Sequence, residues 1–145
     1  MTLPDGNVWL ALALSKHSHH QAARAWLETE TRQGSILFCR ATQQTLVRLL
    51  TTAAVLAPYG NPPLSNRAAW DVYQALAGDR RMAFAQEPAG LEGIWTRLAL
   101  REVASAKLWM DSYLAAFAIG GAQRFVTFDS GFKQFSGLDL LLLEP

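Results

Sequence analysis

The chain has 145 residues, half of them apolar, and its 13 basic and 12 acidic side chains leave a formal charge of +1. That length holds one domain with a sizeable core, read as a single unit over 1–145, and near-neutrality excludes a generally basic nucleic-acid coat, so any polyanion must be met by a local patch. One cysteine excludes an internal disulfide framework and fits a reducing, cytoplasmic setting.

Met1 to Pro4 reads as a very short strand that leads through Asp5, Gly6 and Asn7 into the apolar run Val8 to Leu14. That run is too short to span a bilayer and has no basic region before it, so neither a signal peptide nor a membrane segment is expected. Asp5 or Asn7 is positioned to cap the helix that follows. Ser15 to His20 (SKHSHH) is a polar break, and helical spacing resumes over Gln21 to Thr31. His17, His19 and His20 lack an i, i+4 arrangement and sit beside a lysine, so they read as a solvated helix start rather than a metal site.

Ser35 to Cys39 is a second short apolar strand, with Cys39 a core thiol, and Arg40 to Ala57 reads as one long helix with the stripe Leu46, Leu50, Ala53 and Ala57. Pro58 to Asn66 is the clearest loop, and a helix over Ala68 to Ala77 follows. Arg81 to Ala85 is a further strand ended by Glu87 and Pro88, and Leu91, Ile94, Trp95 and Leu98 define an amphipathic helix. Glu87 and Glu92 are read as structural.

Leu108 to Ala122 is apolar or small almost throughout, with Asp111 its only charged side chain, and is expected to be an interior helix. A buried carboxylate requires compensation. A strand, RFVTF, comes next and ends at once in Asp129, Ser130 and Gly131, and Leu138 to Leu143 closes the chain as a last strand. Short apolar strands alternating with helices predict an α/β fold with a parallel sheet covered on both faces.

In such sheets ligands gather at the carboxyl ends of the strands. Asp5, Gln43 or Gln44, Asp111 and Asp129 are all delivered toward that edge. Carboxylates about 4 Å apart repel by about 1 kcal/mol per pair in water and about 4 at an effective dielectric of 20. A cation relieves that repulsion. Oxygen ligands without His or Cys select magnesium or manganese, and such an ion beside a phosphodiester implies metal-assisted hydrolysis.

The segments PDGNVWLAL, FCRATQQTLVRLLT, LWMDSYLAAFA and VTFDSGF resemble the PIN-domain ribonucleases, and among them the VapC toxins of bacterial toxin–antitoxin pairs. The resemblance runs the length of the chain in order and spacing. It implies a three-layer α/β/α sandwich on a central, mostly parallel sheet of four to five short strands. It also implies catalytic, metal-binding acids at Asp5, Asp111 and Asp129, supported by Asn7 and Thr127. The implied activity is magnesium- or manganese-dependent endonucleolytic cleavage of structured RNA, often transfer or ribosomal RNA. A homodimer is implied as well, and a cognate VapB-like antitoxin whose C-terminal segment occupies the active-site groove.

One position departs from the pattern: Gln43 stands where a glutamate is commoner. An amide offers an oxygen without charge, so weaker metal binding is expected, and a second reading follows, a PIN-like domain that binds RNA or antitoxin with little or no cutting. A phosphoacceptor domain is disfavoured, because Asp5 has no neighbouring acid. Arg40, Arg48 and Lys107 are the candidates for RNA contact, with Lys16 and Lys133 as outliers. Trp9, Trp26, Trp70, Trp95 and Trp109 are read as core or dimer contacts rather than base-stacking platforms.

Overall fold

Strand β1 (Thr2–Pro4) is fully buried and lies at the centre of a five-stranded sheet. A computed structural model describes residues 1–145, with β2 (Ile36–Phe38), β3 (Met82–Phe84), β4 (Arg124–Thr127) and β5 (Leu140–Leu142) in the order β3-β2-β1-β4-β5. Every strand pair is parallel. Helices α1 (Gly6–Ala13), α2 (His20–Thr29), α3 (Arg40–Leu50), α4 (Ala53–Leu56) and α5 (Asn66–Ala77) precede β3 or connect to it. Helices α6 (Leu91–Ala99) and α7 (Ala106–Gly120) come between β3 and β4.

Side-chain alternation along the strands divides the core in two. Ile36, Phe38 and Val126 point into a cluster with Trp9, Trp26, Leu46 and Tyr73. Leu3, Leu37 and Phe125 point the other way, against Leu91, Leu98, Ala115, Phe117 and Phe132. A sheet buried on both faces explains why its strands are continuously apolar. The expected α/β/α sandwich is therefore the observed architecture, with five strands and no antiparallel pair.

Several expectations need correction. The long helix foreseen over Arg40 to Ala57 stops at Leu50, although its apolar stripe continues. Thr51 Oγ1 donates to the Val47 carbonyl at 3.0 Å and Thr52 Oγ1 to that of Arg48 at 2.6 Å, so two hydroxyls take over the last helical carbonyls. Thr52 is extended, and the chain restarts as the single turn α4. The helix foreseen over Gln21 to Thr31 spans His20–Thr29, and the last strand is only Leu140–Leu142.

Helix α7 is not interior on every side. Leu108, Ser112 and Leu114 to Ala118 are buried, but Trp109 and Met110 are 50% and 44% exposed. Apolar character alone could not reveal that outer face. Trp9 and Trp26 are core residues, whereas Trp70 is substantially exposed.

Candidate active site

The parallel register builds the site. Pro4 pairs with Val126, so the next residues along, Asp5 and Thr127, stand side by side at the carboxyl edge of β1 and β4. Asp5 is the N-cap of α1, accepting the Gly6 amide on Oδ1 at 2.7 Å. Its second oxygen, Oδ2, accepts the Thr127 hydroxyl at 2.7 Å. The helix cap foreseen for Asp5 therefore uses Oδ1, while Oδ2 receives the Thr127 hydroxyl.

Thr127 is the hub of this corner. Its hydroxyl oxygen also accepts from Asn7 Nδ2 at 3.1 Å and from the Asp129 amide at 3.0 Å. Asn7 Oδ1 accepts the Phe128 amide at 3.3 Å. Asn7 on α1 and Thr127 on β4 therefore fix the loop that carries Asp129. Gly6 lets α1 approach α3 closely, since a Cβ there would fall 2.5 Å from Thr45 Cγ2.

Asp111 comes from the second turn of α7 and Asp129 from the start of the 3-10 turn Ser130–Gln134. Asp129 Oδ1 accepts the Gly131 amide at 2.8 Å. Its Oδ2 lies 2.7 Å from Lys107 Nζ, and the same ammonium lies 3.1 Å from Asp111 Oδ2. Lys107 supplies the charge compensation that Asp111 requires. Lys107, a candidate for RNA contact, is thus paired with two acids while its side chain stays 68% exposed.

The acids sense one another. Burial pushes the Asp5 carboxyl up to about 6, the hydrogen bonds from Thr127 and Gly6 work against it, and the charges of Asp111 and Asp129 add to the rise. The Lys107 hydrogen bond and then the Gly131 amide hold Asp129 below the usual carboxylate range. Those two acids in turn lift Lys107 to about 12, Asp129 contributing most.

An all-carboxylate donor set with one strongly destabilised ionised member fits a hard divalent cation. As the side chains stand, no three acidic, histidine or cysteine groups close up enough to hold a metal ion. The cation spanning Asp111 and Asp129 is the Lys107 ammonium.

The remaining candidates are more dispersed. Gln43 is buried, and its Oε1 accepts from Arg40 at 2.6 Å; Gln44 is exposed. Arg40 also lies 4.9 Å over the Phe84 ring. Arg48 is exposed beside Trp70, away from the acids' own hydrogen-bond network. Glu87 accepts the Tyr113 hydroxyl at 2.7 Å. A cavity of about 680 Å³, lined by Arg40, Gln44, Phe84, Trp109, Met110 and Tyr113 among others, was not foreseen. Its walls come from α3, β3 and α7, a long-range grouping that no local spacing announces.

These features define an α/β protein with an acidic cluster at the carboxyl edge of a parallel sheet. The PIN domain family model matches residues 2–138. Ribonuclease VapC41 of Mycobacterium tuberculosis is 54% identical over 144 residues, covering 99% of each chain. The chain therefore belongs to the PIN-domain family and, within it, to the VapC type. Two solved structures share the fold: M. tuberculosis VapC20, described as a sarcin–ricin loop cleaving toxin, with a TM-score of 0.67, 13% identity and coverage of 99% and 100%. VapBC2 of Rickettsia felis, bound to a promoter DNA fragment, gives 0.66, 14% and coverage of 99% and 98%.

Proposed function

We propose that this chain is a magnesium- or manganese-dependent endoribonuclease toxin that hydrolyses phosphodiester bonds in structured RNA and is neutralised by a cognate VapB-like antitoxin. The observation that supports this reading is that Asp111 and Asp129, from α7 and the end of β4, share the Lys107 ammonium and that both charges raise the Asp5 carboxyl at the end of β1. The kinship to a protein named as a ribonuclease supports the choice of RNA. On this reading the whole of 1–145 acts as one PIN-like unit in the cytoplasm, as a homodimer; no helix is long and apolar enough to cross a membrane.

Asp5, Asp111 and Asp129 would hold the ion, and Gln43 would offer at most a neutral oxygen. The ion, when bound, supplies positive charge beside the scissile phosphate and makes attacking water more acidic. The protein's own part is positioning. Thr127 aims Asp5 Oδ2, Asn7 steadies Thr127, and Lys107 is free to turn toward a phosphate once the ion neutralises its two acids. Arg40 and Arg48 are the further RNA contacts. The antitoxin's C-terminal segment would occupy the active-site groove, and the apolar cavity beside Trp109 and Tyr113 offers it a further apolar surface.

Incubating the purified protein with transfer and ribosomal RNA plus manganese, with and without excess chelator, tests the reading. Defined new RNA ends that vanish with chelator are expected; cleavage that persists in chelator would refute the metal mechanism. The second reading, a domain that binds without cutting, draws on Gln43, which is uncharged and already engaged by Arg40. RNA retained intact on the protein in manganese is its signature.

A further inference from the structure

Four aromatic rings form a continuous row beside the acids. Tyr59 stacks on His17 with centroids 4.6 Å apart, His17 meets His19 at 5.5 Å, and His19 meets Phe128 at 4.4 Å. All four rings are half-buried. Phe128 directly precedes Asp129, and its amide is held by Asn7, so the row ends at the hydrogen-bond network that orients Asp5. The loop is itself ordered: the His19 amide donates to His17 Nδ1 at 3.0 Å, and His20 Nδ1 pairs with the Ala11 carbonyl at 2.7 Å.

The row lies outside the fully buried core. Its members sit on the rim of the core, with Tyr59 and Phe128 only partly buried against it. None of the three histidines pairs with a carboxylate, and Lys16 next to them is exposed. Half-buried rings at the edge of the fold, with histidines that pair with no carboxylate, suit flat, electron-rich bases on a polyanionic chain. Single-stranded RNA is recognised in this way, by bases splayed onto aromatic and histidine rings.

We propose that the row Tyr59–His17–His19–Phe128 is a stacking platform for unpaired bases of the RNA strand that enters the three-aspartate site. It rests on the ribonuclease reading and adds to it where the substrate lies: one side of the scissile phosphate is single-stranded and runs along the α1–α2 loop. The SKHSHH segment, which in sequence reads as a solvated helix start, then becomes part of substrate recognition.

The probe is a single-stranded RNA oligonucleotide carrying 2-aminopurine, whose fluorescence falls on stacking. It is titrated with the full chain in chelator, and its cleavage is followed in manganese. Wild type is expected to quench the probe. The double variant His17→Ala/His19→Ala should bind about tenfold more weakly, on the scale of base–aromatic stacking, and lose the quench. Its manganese affinity should not change, and it should remain folded at the assay temperature although it loses the His19 amide to His17 bond. His19→Phe, which keeps a ring, should retain the quench, a result that loss of a merely structural histidine would not give. If the double variant binds, quenches and cleaves as wild type does, the platform is overturned and the ribonuclease reading stands. If wild type neither binds nor cleaves any RNA, both fall.

Discussion

The Lys107 ammonium lies 2.7 Å from Asp129 Oδ2, and through that contact a side chain of α7 is tied to the loop after β4. Its companion contact to Asp111, at 3.1 Å, closes a charge triangle in which the protein carries its own cation. A metal ion binding the same acids must displace that ammonium. Lys107 is 68% exposed, so the pairing is screened and weak, on the scale of 0 to about 1 kcal/mol.

Lys107→Met should therefore tighten manganese binding, by no more than about fivefold. The Asp129 carboxyl should move back up toward its ordinary range. Calorimetry and a carboxylate NMR titration read these two effects. Weaker manganese binding in the variant would mean that Lys107 positions the acids rather than competing for them.

Asp5 makes the fold sensitive to pH. Its carboxyl titrates at about 6 in the folded chain against 3.8 as a free group, so between those values the folded state holds a proton that the unfolded chain has released. The stability it contributes is present below pH 3.8 and is lost as pH rises through about 6, amounting to about 3 kcal/mol in all. Asp5→Asn, measured by urea unfolding in chelator, should be more stable than wild type at neutral pH by up to that amount. The difference should vanish in acid. Equal stabilities at neutral pH would show that Asp5 is not destabilised by burial.

Thr127 is fully buried, and its hydroxyl serves Asp5, Asn7 and Asp129 at once. Thr127→Val keeps the shape and strands those partners. A loss of about 2 to 3 kcal/mol is expected, with Thr127→Ser recovering most of it. Denaturant midpoints measure both.

Much of this arrangement is legible in the residues. The alternation Ile36-Leu37-Phe38 reads as a strand buried on both faces, and aspartates just beyond strand ends mark the edge where chemistry gathers. Other features escape such reading for physical reasons. The apolar stripe Leu46, Leu50, Ala53, Ala57 survives the break after Leu50, because Thr51 and Thr52 stop the helix with hydroxyls that periodicity ignores. The i, i+4 spacing of Lys107 and Asp111 was in plain view, but the stronger tie to Asp129 spans 22 residues and exists only once β4 and α7 are packed. Trp109 reads as a core or dimer contact, and the half-exposed ring lines a cavity wall, which helical spacing does not distinguish from an interior position.

Gln43→Glu restores the charge that the commoner pattern has. The buried carboxylate would meet Arg40, whose guanidinium is already 2.6 Å from the Gln43 oxygen, so stability should change by less than about 1 kcal/mol. Manganese binding should tighten several-fold, and RNA cleavage should rise with it. Calorimetry and end-mapping report the two. A destabilised variant with unchanged metal affinity would assign Gln43 to packing alone.

The central claim is that Asp5, Asp111 and Asp129 act together on one divalent ion. Manganese titration calorimetry of the wild type beside Asp5→Asn, Asp111→Asn and Asp129→Asn tests it most directly. Each single variant should lose most of the wild-type binding heat while remaining folded. Wild-type affinity in any one of the three would remove that aspartate from the site and contradict the account.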